Sequence, residues 1–259
     1  MPDIKAIFFD QDGVIVDTER DGHRVAFNRA FESLGFDVHW DVPKYHQMLQ
    51  IGGGKERMRH QLHAEGFGRP VSADEEEALI SRLHQRKTDL FIEMIEGRQL
   101  PLRPGVHRLM HEALDRRLVL GVCTTSAERA ARAILQSLLA DIRFDVVLAG
   151  DVVARKKPDP EIYLLAMEKT GVRPEQCIVI EDSSNGVKAA KDAGMNVVAT
   201  VNEYTLQEDL GLADIVVSCL GDEGDQQAEL ISSARPWRIR GVVHVSDLVD
   251  YFRGGDPWR

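Results

Sequence analysis

Ile4-Lys5-Ala6-Ile7-Phe8-Phe9-Asp10-Gln11-Asp12-Gly13-Val14 is the stretch on which the fold turns. Residues 4–9 are almost wholly apolar and lack the alternation of a half-exposed strand, so they read as a strand buried on both faces. The run ends in two carboxylates two residues apart. Reading outward, the same kind of run recurs at 118–123, 146–149, 178–180, 197–201 and 215–217. Helix-like stretches separate these runs at 104–116, 126–139, 160–170 and 185–193. Buried strands alternating with helices predict an α/β fold with a parallel sheet covered on both faces. Right-handed crossovers then bring the strand C-terminal ends to one edge, where ligands bind.

One segment breaks the alternation. Between residues 18 and 100 no strand is legible, and Phe27, Ala30, Phe31 and Leu34 recur at helical spacing, as do Leu79, Ile80, Leu83, Leu90 and Ile95. The expected organisation is therefore a core domain of residues 1–17 and 101–259 with an all-helical domain, 18–100, inserted after the first strand. Hinges are expected near Val16-Asp17-Thr18 and at 98–103. Pro104 opens the helix that returns the chain to the sheet. Residues 221–240 read as a loose polar loop, 241–245 as one more edge strand, and the chain then forms a short helix to Phe252.

The 259 residues suit one large domain or two small ones. Thirty-two basic against 42 acidic residues leave a net charge of −10, which argues against nucleic acid or an anionic membrane surface as the main partner. The longest apolar run, 118–123, falls far short of the about 20 residues that a membrane helix needs. Met1-Pro2-Asp3-Ile4-Lys5 lacks the apolar core of a signal segment. Cys123, Cys177 and Cys219 are scattered, a poor disulfide framework. A cytoplasmic, monomeric protein with reduced cysteines is expected.

The chemistry lies just past the strands. Asp10 and Asp12 follow the first, Thr124-Thr125-Ser126 the second, Lys156-Lys157-Pro158 comes several residues after the third, and Glu181-Asp182-Ser183 ends the fourth. Convergence on one edge places four carboxylates, hydroxyls and an ammonium together. Such a group repels itself unless a cation joins it, and an all-oxygen donor set favours Mg²⁺. Hydroxyl and ammonium groups suit the remaining oxygens of a phosphate. One Asp then attacks phosphorus, and a second protonates the leaving oxygen and activates water.

Asp-x-Asp-Gly-Val, the strand-end Thr, Lys-Pro and Glu-Asp-Ser, in that order, resemble the haloacid dehalogenase-like (HAD) phosphatase superfamily. The resemblance implies a Rossmann-like parallel-sheet core with an inserted helical cap. It implies Asp10 as nucleophile, Asp12 as general acid/base with its backbone carbonyl on the metal, and Thr124 and Lys157 on phosphate, with Lys156 the alternative to Lys157. Asp182 matches the metal ligand, with Glu181 beside it. A narrower resemblance, carried by Asp17–Arg24, Phe27-Asn28, Trp40-Asp41, Ile51–Met58, Leu102–Val106 and Ala149–Val153, is to the CbbY group. That group is associated with carbon fixation and dephosphorylates xylulose-1,5-bisphosphate, an inhibitor of Rubisco. A phosphorylated sugar substrate is thus expected, and the alternative is a β-phosphoglucomutase-like sugar phosphomutase on the same core.

A bisphosphate needs a second set of cations and donors. Gly53 and Gly54 offer backbone N–H groups next to Lys55, and Arg57 adds a bidentate donor. Lys87 resembles a substrate-contacting Lys of the β-phosphoglucomutases. Glu19 and His23 are candidates to bind sugar hydroxyls or to orient Asp12, and Thr125 is a supporting donor. The Gly52–Lys55 run is no P-loop, because Leu49 stands where the first Gly is needed and Glu56 follows the Lys. His107 and His111 have a metal-compatible spacing, but no Glu follows His107, and a solvated helix face is the expected reading.

Overall fold

A computed structural model of the chain describes residues 3–49, 51, 54–97 and 99–255. Strand β1 (Ala6–Phe9) opens the fold, and a π-helical turn (Thr18–His23) follows it. Helices α1 (Arg24–Ser33), α2 (Val42–Leu49), α3 (Gly54–Ala64) and α4 (Ala73–Glu96) come next. The chain then alternates through α5 (Val106–Asp115), β2 (Val119–Cys123), α6 (Glu128–Leu138), β3 (Val146–Leu148) and α7 (Glu161–Thr170). Strand β4 (Cys177–Glu181), α8 (Ser184–Asp192), β5 (Asn196–Thr200), β6 (Ile215–Val217), β7 (Leu230–Ser233) and α9 (Val245–Phe252) complete it.

The strands form one seven-stranded sheet in the order β3-β2-β1-β4-β5-β6-β7, parallel except where β7 runs antiparallel to β6. The fold is therefore α/β with a mostly parallel sheet. All four residues of β1 are fully buried, as a central strand covered on both faces requires. Phe9 pairs with Val122 of β2 and Ile180 of β4, so Asp10, Cys123 and Glu181 stand level at the ends of three adjacent strands. Beneath them Ala6, Phe8 and Val179 pack with Ile162, Tyr163 and Ala166 of α7 and Val187 and Ala190 of α8.

The expected edge strand at 241–245 does not form. Val242 and Val243 are buried, but Val243 N–H donates to Leu220 O as the chain enters α9. The edge strand is instead β7, inside the segment expected to be a loop. Its Leu-Ile-Ser-Ser sequence is largely exposed, and Ile231 keeps 50% of its surface in solvent, so it carries no buried-strand pattern. The three cysteines are free and buried. No helix among the described residues is long and apolar enough to cross a membrane.

The chain divides into two compact units, Met1–Asp17 with Pro101–Arg259, and Thr18–Leu100. The second unit is helical throughout its described regular structure. Phe27 and Phe31 of α1 pack against Trp40, with ring centroids 4.9 and 5.1 Å apart, and Trp40 Nε1 donates to Gln61 Oε1 of α3 at 2.9 Å. Asn28 brackets the Trp40 backbone, donating to its O and accepting from its N, both at 2.8 Å.

Candidate active site

In the sheet unit the chain turns immediately after Asp10-Gln11-Asp12. Gly13 adopts φ +78° and its N–H donates to Val16 O at 2.7 Å. A Cβ at Gly13 would stand 1.9 Å from Asp182 Oδ2, so the turn admits only glycine. The same constraint recurs on the other side of the cluster, where a Cβ at Gly186 would meet the Glu181 carboxylate at 2.0 Å. Arg103 ties this turn to the neighbouring strands, donating to Gly13 O, Val201 O and Ser218 O.

Lys157 lies at the centre. Its Nζ donates to Asp10 Oδ1 at 2.6 Å, Glu181 Oε1 at 2.6 Å and Cys123 O at 2.8 Å. Lys156 does not enter the cluster; it bonds Gly150 O and Asp151. Tyr163 Oη donates to Glu181 Oε1 at 2.6 Å, and Asn202 Nδ2 donates to Asp182 Oδ2 at 2.7 Å. Asp12 parts from Asp10 and accepts from Ser126 Oγ. Thr124 is 1% exposed, and its Oγ1 accepts the Ser126 N–H at 3.1 Å. Thr125 is exposed.

Ligand oxygens of Asp10, Glu181 and Asp182 lie within 4.8 Å of one another. Burial, opposed by the Lys157 charge and reinforced by Glu181 and Asp12, pushes the Asp10 carboxyl up to about 7. Burial, with Asp10 and Glu181 next, holds Asp182 well above the usual carboxylate range. Burial alone would lower Lys157, but the carboxylates beside it outweigh that and hold its ammonium above the ordinary lysine value. One ammonium among three buried carboxylates leaves negative charge uncompensated. The all-oxygen donor set fits a hard divalent cation.

The helical unit gathers the other candidates. Glu19 Oε2 accepts from Tyr45 Oη at 2.5 Å, and Arg57 reaches the same hydroxyl at 3.4 Å while its Nε donates to Ile51 O at 2.9 Å. Lys87 is 9% exposed, lies over the Phe27 and Phe91 rings, and contacts His23 Nδ1 at 3.0 Å. Burial first, then the Lys87, Arg57 and His84 charges, holds His23 well below its usual value, so neutral Nδ1 accepts from the ammonium. Lys55 Nζ lies 3.5 Å from Ser81 Oγ, and the Lys87 and Lys55 charges both act on His84. Gly54 begins α3, and Gly53 lies outside the described residues.

Tyr163, Asn202 and Tyr45 escaped the sequence reading. Asn202 lies two residues past the end of β5, the kind of strand-end position that also holds Asp10, Asp12 and Asp182. Tyr163 sits inside α7 and Tyr45 inside α2, where nothing local distinguishes them from packing residues.

Residues 4–194 match the family model described as haloacid dehalogenase-like hydrolase. A CBBY-like protein of Arabidopsis thaliana is 47% identical over 229 residues, covering 87% of this chain and 72% of the relative. Protein CbbY of Cereibacter sphaeroides is 38% identical, with 85% and 94% covered. A crystal structure of a CbbY variant from Rhodobacter sphaeroides in complex with xylulose-1,5-bisphosphate is 37% identical over 83% of this chain and 94% of that one, with a TM-score of 0.68. The chain belongs to the haloacid dehalogenase-like hydrolases, within which it is a phosphatase of the CbbY type.

Proposed function

We propose that the chain is a Mg²⁺-dependent sugar-bisphosphate phosphatase that hydrolyses xylulose-1,5-bisphosphate through an aspartyl phosphate at Asp10. The observation that carries this reading is Lys157 held between Asp10 and Glu181, with Asp182 completing an all-oxygen cluster. The substrate assignment draws on the sugar bisphosphate bound by the CbbY relative.

Asp10, Asp182 and Glu181, with the Asp12 backbone carbonyl, would hold the ion. Mg²⁺, when bound, supplies positive charge that favours the ionised carboxylates and draws charge from phosphoryl oxygens. A carboxylate oxygen of Asp10 forms the bond to phosphorus as the sugar–oxygen bond to phosphorus breaks. Asp12 gives its proton to the departing sugar oxygen. It then takes a proton from water, whose oxygen attacks the aspartyl phosphate and releases inorganic phosphate and free Asp10. The Lys157 ammonium and the Thr124 hydroxyl meet the phosphoryl oxygens. Lys55, Arg57 and Lys87 of the helical unit are the cations assigned to the second phosphate, and Glu19 and His23 are assigned to the sugar.

Phosphate release across a sugar-phosphate panel tests the reading. The expected result is Mg²⁺-dependent release with kcat/KM for xylulose-1,5-bisphosphate at least about 100-fold above ribulose-1,5-bisphosphate, β-glucose-1-phosphate and phosphoglycolate, about 2.7 kcal/mol of transition-state preference. A flat profile detaches this substrate. An isomerised sugar phosphate in place of inorganic phosphate assigns a mutase instead.

A further inference from the structure

We propose that His107, His111 and Asp141 form a second metal site, for a borderline divalent ion of the Zn²⁺ class. The three residues belong to the sheet unit and share no member with the acidic cluster of Asp10, Glu181 and Asp182. On sequence the histidine pair reads as a solvated helix face because no Glu follows His107; Asp141, 30 residues beyond His111, has no motif of its own.

Helix α5 sets up the pair. Val106, Leu109, Met110 and Ala113 are buried and fix which face turns inward. His107 and His111 are four residues apart, so they stand one helical turn above each other on the same side. Their ring centroids are 4.5 Å apart. Asp141, in the connection between α6 and β3, meets both rings: its Oδ2 lies 2.8 Å from His107 Nε2 and 2.9 Å from His111 Nε2. Both ring nitrogens thus meet the same carboxylate oxygen, and the three donor atoms, drawn from two separate segments, lie within 4.8 Å of one another.

The donor chemistry selects the ion. Imidazole nitrogen binds Zn²⁺ and its neighbours in the transition series far better than Mg²⁺, which prefers oxygen alone. Three protein ligands with water in the fourth position satisfy tetrahedral Zn²⁺. Ligand bonds near 2.0–2.2 Å in a tetrahedron separate donor atoms by about 3.4 Å, so the present contacts to Asp141 need to open by roughly 0.6 Å. The side chains are 45%, 45% and 54% exposed, so they can relax by that amount and the ion arrives directly from solvent. A bound ion would tie α5 to the α6–β3 connection.

Isothermal titration of the chelator-stripped full chain with ZnCl₂, in millimolar Mg²⁺ to saturate the acidic cluster, tests the site. One Zn²⁺ per chain with micromolar or tighter affinity is expected. His111→Ala and Asp141→Asn should each weaken it at least about tenfold, or about 1.4 kcal/mol, while Asp10→Asn leaves it unchanged. Both surface variants should keep their Mg²⁺-supported phosphatase activity, which reports that they are folded. Co²⁺ in place of Zn²⁺ should give a visible tetrahedral band that the two variants lack. Zn²⁺ binding that is absent, is lost in Asp10→Asn, or persists undiminished in His111→Ala overturns the site. Undiminished binding in Asp141→Asn overturns the three-ligand arrangement.

Discussion

Gln11 stands between the two strand-end aspartates, fully buried, and neither its Oε1 nor its Nε2 has a hydrogen-bond partner. A buried amide left unsatisfied costs about 1–3 kcal/mol. Its backbone carbonyl, by contrast, anchors the turn by accepting from Val14, Ile15 and Val16. Gln11→Leu removes the unsatisfied amide and keeps the backbone, so it should raise Tm by about 3 °C or more with turnover retained. Thermal melts of the two proteins decide it, and an unchanged or lower Tm would mean that the amide is satisfied in solution. At this scale the sequence was informative where chemistry clusters locally. Asp10, Asp12, Thr124 and Asp182 follow strand ends, Glu181 closes β4 and Lys157 comes several residues after β3, and a strand end is readable. The partners that hold them are less so: Tyr163 meets Glu181 across 18 residues from inside α7, and that distance leaves no trace in spacing.

Helix α4 and the π-helical turn before α1 meet through Lys87 and His23. His23 is held below its usual value of 6.5 by burial and by neighbouring cations, so the folded chain resists a proton that the unfolded chain accepts. The stability from this contact is complete above about pH 6.5 and is lost as pH falls below it. His84 is lowered in the same direction and adds to the trend. Wild-type Tm should therefore fall more steeply between about pH 7 and 5.5 than that of His23→Gln, which keeps an acceptor for Lys87 but cannot titrate. Coincident slopes would remove His23 as the source. Among the elements, β1 to β6 are legible because strands buried on both faces must be apolar throughout. Strand β7 is not, because an exposed edge relaxes that demand and allows serine. The valines at 242–243 mislead for the converse reason: they are buried as a lead into α9, not as a strand.

For the molecule as a whole, the acidic cluster is a conflict between folding and function. Three buried carboxylates around one lysine suit a cation but strain the ion-free fold. Asp182→Asn removes one of those charges. In excess chelator its Tm should equal or exceed that of wild type. Added Mg²⁺ should raise wild-type Tm, by about 2.7 kcal/mol of stability at 100 times Kd, and leave the variant nearly unmoved. Equal Mg²⁺ responses would exclude Asp182 as a ligand. Net charge and composition bounded the partners but carried nothing about this conflict, which needs the sheet to bring residues 10, 157, 181 and 182 together.

Asp10 should carry the phosphoryl group during turnover, and acid-quenched single turnover with xylulose-1,5-bisphosphate and Mg²⁺ reads this out. Peptide mass analysis should find one phosphoryl group on the peptide containing Asp10 and none in Asp10→Asn, which should also release no phosphate. Phosphate release by Asp10→Asn at the wild-type rate, or wild-type turnover with no phosphoryl group ever found at Asp10, would rule out Asp10 as the nucleophile.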